Sequence, residues 1–182
     1  TVPDPAAYSA HLTRVAVGGR FACGEGADGK IYCWGANDHG QLGQGVADHQ
    51  TATTPVAVRG PEGVRLSRPV AAYAQICAEG DDGRLYCWGR NNQGQLGTGD
   101  MTDRSVPTPV SAPEGVRLTN AAVGTQHTCA EGSDGHVYCW GIGGNGRLGN
   151  GETLGNFLAP VRVLAPEGVT LSKLTAGSAH TC

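Results

Sequence analysis

The strongest constraint on the fold is a phrase that the chain repeats three times. The phrase begins as "CGEGADGKIYCWG" at Cys23, as "CAEGDDGRLYCWG" at Cys77 and as "CAEGSDGHVYCWG" at Cys129. A fourth copy starts with "TAGSAHTC" and reaches Cys182, so the first cysteines of successive units lie 54, 52 and 53 residues apart. Such a period indicates one supersecondary unit that is stable only when it is stacked on its own copies.

Composition indicates that each unit consists of short β-strands. The chain has 30 glycines and 10 prolines, and only 16% of its residues are charged, which favours dense turns between short apolar runs. One or two strands, separated by glycine, are expected in the stretch that leads to the first cysteine, and another in "IYCWG" and its copies. Apolar or aromatic residues occupy both alternating positions of "IYCWG", so both faces of this strand must be buried. A last strand is expected at the Pro-Val steps of Pro55, Pro109 and Pro160.

A unit of about four strands that is buried on both faces is typical of a propeller blade. We therefore predict an all-β propeller segment with three complete four-stranded blades and a partial unit at each end. The predicted blades are residues 14–58, 68–110 and 120–163, and the partial units are residues 1–13 and 173–182. Trp34, Trp88 and Trp140 are expected to pack between blades.

The segment "HTCAEGSDGHVYCWGIGGNGRLGNG" resembles the repeat of the regulator of chromosome condensation family. The usual form of that repeat is G-x-x-H-T, a DG turn, V-Y-x-W-G and N-x-x-G-Q-L-G-x-G, and the resemblance covers nearly the whole chain. The G-x-x-H-T segment is complete in the last two units, whereas the first unit has Phe21 and the second has Gln75 in place of the histidine.

The resemblance implies a ring of seven blades, which needs about 370 residues at this period. Three blades cannot close a ring, and their two outer faces would be exposed. We therefore expect the 182 residues to be a segment of a longer protein. The alternative is a half-ring that assembles with other copies.

The paired cysteines are explained by hairpin geometry. If residues 133–135 form a three-residue loop that ends in a left-handed glycine, Gly132 faces His136 and Cys129 faces Cys139. The cysteines then form a pair without backbone hydrogen bonds, with Cα atoms about 4.5 Å apart. That distance lies within the range that a disulfide spans.

The same register predicts three disulfides, Cys23–Cys33, Cys77–Cys87 and Cys129–Cys139. The alternative is that the six residues are small buried hydrophobes. A zinc site is not expected, because no C-x-x-C pair occurs. Disulfides persist in oxidising compartments, so we expect a secreted, periplasmic or cell-surface protein. No partner is assigned to Cys182.

Charge and motifs exclude several function classes. The net charge is −3, the basic residues are scattered, and no run of about 20 apolar residues occurs. We therefore expect neither nucleic-acid binding nor membrane insertion. We find no catalytic constellation, metal-ligand set or phosphate-binding loop, so we expect no enzyme activity and no cofactor.

The best remaining indication of function is the segment between G-x-G and the Pro-Val step, which differs between units that are otherwise alike. Variable loops on a rigid framework are typical of binding surfaces. The candidate binding residues, all in these loops, are Asp48, His49, Met101, Arg104, Asn156 and Phe157. The predicted function is an extracellular, non-catalytic scaffold for a protein or glycan partner.

Two alternatives remain open. One is a structural subunit of a surface appendage or coat that assembles through blade edges. The other is a secreted enzyme inhibitor built on the same repeat, for which the family offers the precedent of a β-lactamase inhibitor. The resemblance also implies nucleotide exchange on a small GTPase together with chromatin binding. That role needs a reducing interior and usually a basic tail, and neither fits this sequence.

Overall fold

A computed structural model describes residues 12–182, which form three four-stranded antiparallel sheets. The strands are β1 (Leu12–Val17), β2 (Phe21–Gly26), β3 (Ile31–Ala36), β4 (Thr51–Ala57), β5 (Leu66–Ala72), β6 (Gln75–Gly80), β7 (Leu85–Gly89), β8 (Arg104–Pro109), β9 (Leu118–Val123), β10 (His127–Gly132), β11 (Val137–Ile142) and β12 (Asn156–Arg162). In each sheet the spatial order follows the chain, from β1 to β4, from β5 to β8 and from β9 to β12.

Each sheet is one blade of a propeller. The first strands of successive blades contact each other, β1 with β5 and β5 with β9, so these strands gather at the inside of the arc. The fourth strands, β4, β8 and β12, are the outer edges. Of the two partial units, residues 1–11 of the first lie outside the described part of the chain. The second contains a turn closed by the bridge between Ala176 and Thr181.

The outer strands differ from the prediction, because they start several residues before the Pro-Val steps. In the second blade Cys87 pairs with Thr108 and Gly89 pairs with Arg104, so a bulge of two extra residues contains Pro107. A proline has no N–H for the ladder and is accommodated at a bulge on an edge strand. The bulge lets pairing resume beyond the proline.

The same register aligns Pro107, and not Pro109, with Pro55 and Pro160 of the other blades. The equivalence that the sequence suggested for Pro109 is therefore wrong by two residues. A proline within each outer strand also interrupts the row of edge N–H groups, which hinders pairing with a strand of another molecule.

The three predicted disulfides are present. They join Cys23 to Cys33, Cys77 to Cys87 and Cys129 to Cys139, with Cα–Cα distances of 4.0, 4.1 and 4.0 Å. In the third blade Cys129 lies directly opposite Cys139, and the Gly132 N–H donates to the His136 carbonyl. The turn is the expected three-residue loop, with Gly135 at a φ of 80°. All six cysteines are buried, and Cys182 is free and exposed.

The aspartate of each hairpin loop holds the turn closed. In the third blade Asp134 Oδ2 accepts a hydrogen bond from the Tyr138 hydroxyl at 2.7 Å, and Oδ1 accepts one from the His136 N–H at 3.2 Å. The bond from Tyr138 lowers the pKa of Asp134 and raises that of Tyr138. Asp28 and Asp82 make the same two bonds in the other blades, so the aspartates are turn formers.

Tryptophan side chains fill the space between blades. Trp88 and Trp140 are fully buried, and each indole N–H donates to a carbonyl of the preceding blade, Gln41 at 3.1 Å and Gln95 at 3.0 Å. Buried indoles need such a partner for the N–H group. The prediction of an inter-blade position is thus confirmed for these two residues. Trp34, in the first described blade, is only partly buried.

A second inter-blade position is occupied by a different side chain in each blade. Gln75 is buried, and its amide donates to the Gly124 carbonyl of the third blade at 2.9 Å. The equivalent His127 is also buried, with Nε2 at 2.8 Å from Thr181 Oγ1. In the first blade the position holds Phe21, which is buried as well.

The residue three positions earlier changes with this side chain. A Cβ at Gly124 would overlap with the imidazole of His127, and a Cβ at Gly18 would overlap with the ring of Phe21. The second blade has Ala72 there, where the side chain three positions later is the unbranched Gln75. Glycine is therefore needed only where an aromatic ring folds back over its own turn.

Three glutamates, Glu25, Glu79 and Glu131, connect each blade to the next at the inner strands. Glu79 Oε1 accepts the backbone N–H of Asn120 at 2.8 Å, and Glu131 Oε1 accepts that of Lys173 at 2.7 Å. Glu25 accepts that of Arg68 at 3.1 Å. The three donors all have left-handed backbones, with φ values of 55°, 49° and 59° for Arg68, Asn120 and Lys173. A carboxylate bond to each of these N–H groups helps to hold the left-handed backbone and the blade contact together.

Candidate functional site

One end of the three blades carries the long loops that differ most between repeats. We call this end the loop face. It consists of the turns between the first and second strands (residues 18–20, 73–74 and 124–126) and the loops between the third and fourth strands (residues 37–50, 90–103 and 143–155). Both kinds of connection lie at the same end because the strands alternate in direction along each sheet.

In each of the first two blades, a buried asparagine organises the loop between the third and fourth strands. Asn37 Oδ1 accepts the Leu42 N–H at 3.1 Å, while its amide donates to the Val46 carbonyl at 3.0 Å and to Asp48 Oδ1 at 2.9 Å. Asn91 does the same in the second blade, with Leu96 as the donor to its oxygen. Leu42 and Leu96 are buried, so each loop is pinned to the core below it.

The loop of the third blade is held differently. Gly143 occupies the position of the asparagine, and its N–H donates to the Gly155 carbonyl at 2.8 Å. The guanidinium of Arg147 donates to the Gly144 carbonyl at 2.8 Å. Asn145 adopts a left-handed backbone with φ of 61° inside a short 3₁₀ turn, Gly144–Gly146. This loop therefore relies on its own backbone, whereas the other two rely on a central amide.

The loops of the first and second blades are also fixed to the next blade. His39 Nδ1 lies 2.7 Å from Asp103 Oδ2, which belongs to the second blade. At the equivalent place Asn156 donates to Gln93 Oε1 at 3.0 Å, and so joins the third blade to the second. The N–H of Gly45 also donates across to the Ser105 carbonyl at 2.8 Å. The loop face is thus a continuous platform and not a set of separate loops.

The candidate residues with polar side chains make contacts within the platform. Asp48 accepts from Asn37, which lowers the pKa of Asp48. Arg104 donates to Asp100 Oδ2 at 2.6 Å, and Asn156 donates to Gln93. The exposed imidazole of His49 lies 3.1 Å from Asp38 Oδ1.

Three of the candidates lie in the outer strands, because these strands start earlier than the sequence predicted. Arg104 begins β8, Asn156 begins β12 and Phe157 follows in β12, so none of them lies in a free loop. Phe157 is half-buried and packs against the core of the third blade. Of the six candidates, Met101 projects into solvent without an internal bond, with 45% of its surface exposed.

The structure adds three exposed apolar residues that the sequence reading missed. Val46 and Leu154 occupy the first and third loops as Met101 occupies the second, and they are 50% and 80% exposed. Tyr73, in a turn of the second blade, is 48% exposed. For Val46 and Leu154, a large apolar residue isolated in an otherwise polar loop was the signal available in the sequence.

Two features are not found among residues 12–182. No group of three or more histidine, cysteine, aspartate and glutamate side chains is arranged to hold a metal ion. No helix in this part of the chain has the length and hydrophobicity of a membrane span.

Comparison with known proteins identifies the repeat. The profile of the regulator of chromosome condensation (RCC1) repeat matches residues 28–75, 82–130 and 134–182, and a second profile of the same repeat matches residues 12–41. The chain belongs to the RCC1 repeat family. The matched segments cover most of the described residues, in agreement with the three blades.

Two curated relatives are longer than this chain. The chain is 32% identical to the ultraviolet-B receptor UVR8 of Arabidopsis thaliana over 180 residues, which cover 99% of this chain and 40% of UVR8. It is also 32% identical to the probable E3 ubiquitin-protein ligase HERC3 of Homo sapiens over 170 residues, or 93% of this chain and 16% of HERC3. The chain thus spans less than half the length of these relatives.

A solved RCC1-type structure has the same fold. Prp20p of Saccharomyces cerevisiae superposes with a TM-score of 0.82 at 22% sequence identity, over 94% of this chain and 43% of Prp20p. At this identity the likeness supports the propeller architecture alone.

Proposed function

We propose that this RCC1-type propeller is a non-catalytic scaffold that binds a protein partner through the loop face. The observation that carries the proposal is that the loops are anchored in equivalent ways but expose different side chains. Equivalent inter-blade bonds anchor the loops, yet each loop presents a different exposed apolar residue, Val46, Met101 or Leu154. Exposed apolar side chains on a rigid, polar platform are typical of protein-binding surfaces.

Precedent within the fold supports a protein partner over a glycan. Binding to Gsp1p and to histones has been described for Prp20p. Those partners belong to Prp20p, and no contact residue is transferred to this chain. We choose a protein because the three projecting residues are aliphatic, whereas glycan sites rely on aromatic faces and polar side chains.

We further propose that the protein works in an oxidising compartment. The support is the placement of six cysteines in three buried disulfides, which thiol-reducing cytosol does not maintain. Thiol labelling and mass spectrometry of protein taken from its native source tests this point. The six paired cysteines are expected to resist labelling, and labelling at all six positions would contradict this point.

The binding proposal is tested with a matched pair of triple variants. The loop-face variant is Val46→Ser, Met101→Ser and Leu154→Ser. The control carries Val15→Ser, Val169→Ser and Leu171→Ser, three exposed residues in β1 and after β12 that lie outside the segments of the loop face.

Each variant is immobilised, exposed to the native surrounding medium and analysed by quantitative mass spectrometry. A protein captured by the wild type and the control, but not by the loop-face variant, supports the proposal. Equal capture by all three chains, or loss only in the control, refutes it. Circular dichroism verifies that both variants are folded.

A further inference from the structure

A tyrosine in the loop face has a backbone conformation that its side chain does not favour. Tyr73 has a φ of 49°, in the left-handed region that bulky residues rarely adopt. The equivalent residues of the other turns, Gly19, Thr125 and Ser178, have no positive φ. Strain of this kind costs about 1–3 kcal/mol and persists where the surroundings enforce it. The Gly19 N–H contributes by donating to the Tyr73 carbonyl at 2.8 Å.

The strained turn places the tyrosine ring against a cation. The guanidinium carbon of Arg90 lies 5.3 Å from the centre of the Tyr73 ring, within the range of a cation–π contact. The backbone of Arg90 is fixed to the turn that contains Tyr73, because its N–H donates to the Ala74 carbonyl at 2.9 Å. Tyr73 as a whole remains about half exposed, so the pair forms part of the loop-face surface.

Arg90 lacks the partners that the other loop-face arginines have. Arg20 lies 4.0 Å from Asp38 and Arg104 lies 2.6 Å from Asp100. Arg147 donates to a backbone carbonyl. By contrast, Nε of Arg90 is shielded from solvent without an acceptor among the described residues, and no carboxylate of residues 12–182 forms an ion pair with this guanidinium. An uncompensated and partly desolvated cation is costly, and an incoming anion would relieve that cost.

We propose that Tyr73 and Arg90 form an anchor site for an aspartate or glutamate side chain of a protein partner. A guanidinium binds a carboxylate through charge-assisted hydrogen bonds. The tyrosine ring provides an apolar surface for the methylene groups of the acidic side chain. Tyrosine and arginine are also the residue types that most often dominate binding energy at protein interfaces.

The local charge favours a single carboxylate over a polyanion. The net charge of the chain is −3, and the side chains of Arg20, His39 and Arg104 each lie within 4.0 Å of an aspartate carboxylate. A nucleic acid would need a continuous basic surface, which this face does not offer. The inference rests on the proposed function, because it assigns a partner chemistry to one part of the loop face.

The test uses a short glycine-serine peptide that contains one glutamate, acetylated and amidated at its ends, with the same peptide carrying glutamine in place of the glutamate as the reference. Binding to the ¹⁵N-labelled chain is followed by NMR. The glutamate peptide is expected to shift the amide signals of residues 72–74 and 89–91, and the glutamine peptide is not. The affinity should fall as salt is added.

Three variants separate the anchor site from a general effect of charge. Arg90→Gln is expected to weaken binding of the glutamate peptide about tenfold or more, as expected for the loss of one charge-assisted pair. Arg117→Gln, which removes an arginine beside the hairpin at the opposite end of the blades, should leave binding unchanged. Tyr73→Gly should weaken binding while raising the melting temperature, because glycine relieves the strained φ.

Unchanged binding in Arg90→Gln, equal binding of both peptides, or an equal loss in Arg117→Gln would overturn the anchor site. These outcomes are distinct from failure of the scaffold proposal. If the loop-face triple variant loses its partner while Arg90→Gln keeps it, only the anchor site is wrong. If neither variant affects capture but Arg90→Gln abolishes peptide binding, the scaffold proposal fails alone.

Discussion

The second and third blades bury different groups at the same place in their inter-blade contacts. Gln75 reaches across to the Gly124 carbonyl, whereas His127 contacts the hydroxyl of Thr181. The blade geometry is the same in both, with the same cysteine pair and the same glutamate bond to the next inner strand. The repeat therefore requires a large buried side chain at this position, and not a particular functional group, since Phe21 fills the equivalent place in the first blade without a hydrogen bond.

The two positions differ in one consequence, which is their response to pH. Gln75 does not titrate, whereas burial lowers the pKa of His127 from 6.5 to about 4, with the positive charges of Arg147 and His180 as further causes. His127 Nδ1 has no hydrogen-bond partner among the described residues. Protonation at this site would place a charge inside the contact.

The largest effect is expected for removal of the disulfide, which both blades contain. Replacing Cys77 and Cys87 by alanine, or Cys129 and Cys139 by alanine, should lower the free energy of unfolding by about 2–4 kcal/mol in each case. The two losses should be similar because the closed loops have the same length. Urea unfolding measures both. Losses that differ by more than the span of that range would show that the two blades are not equivalent.

The loss of folding stability in acid should depend on the protonation of His127. An unfolded chain protonates this histidine near pH 6.5, before the folded chain does, so stability falls as the pH drops from 6.5 and the fall levels off below about 4. The group should contribute a loss of about 3 kcal/mol over this window. His127→Gln recreates the residue of the second blade and should remove that part of the pH dependence. Urea unfolding at several pH values tests it, and identical pH profiles for both chains would contradict the assignment.

The glycine three residues before His127 offers a smaller test. Gly124→Ala should cost about 1–3 kcal/mol, because the added methyl group overlaps with the imidazole of His127. Adding His127→Gln recreates the Ala72–Gln75 combination and should recover part of the loss. Recovery is partial because the Gly177 carbonyl also lies close to the new Cβ, at 2.8 Å. A double-mutant cycle measures the coupling, and purely additive losses would show that the ring does not dictate the glycine.

The smallest effect is expected at the glutamate that joins the two blades. Glu79→Gln keeps an oxygen for the Asn120 N–H but removes the charge, and should cost about 1 kcal/mol. Glu131→Gln, the equivalent change at the next contact, is the matched variant. Thermal unfolding of the two chains should give similar shifts. A shift confined to one of them would mean that the glutamate bonds are not a common element of the repeat.

The sequence predicted the parts of the structure that depend on local spacing. The ten-residue separation of Cys129 and Cys139, together with Gly135, was enough to predict the hairpin register and the disulfide. It was not enough to place the outer strands, because the bulge at Pro107 depends on hydrogen bonds to another strand. The alternation of residue types along a strand does not indicate where its pairing with the neighbouring strand is interrupted and where it resumes.

The candidate site was harder to predict from the sequence, for a related reason. Arg104 and Asn156 vary between repeats and are polar, as a binding residue would be, yet both make internal bonds. Tyr73 looked like another member of an apolar stretch, and its exposure follows from a left-handed backbone that sequence pattern does not reveal. Variation identified the right end of the molecule but not the side chains that are free on it.

Every disulfide among residues 12–182 begins and ends within one blade. A unit that is copied or deleted in the gene therefore brings or removes both of its sulfur atoms together, and no neighbour is left with an orphaned thiol. The array can change in number of repeats without any rearrangement of its covalent links, a freedom that proteins with crosslinks between modules do not have.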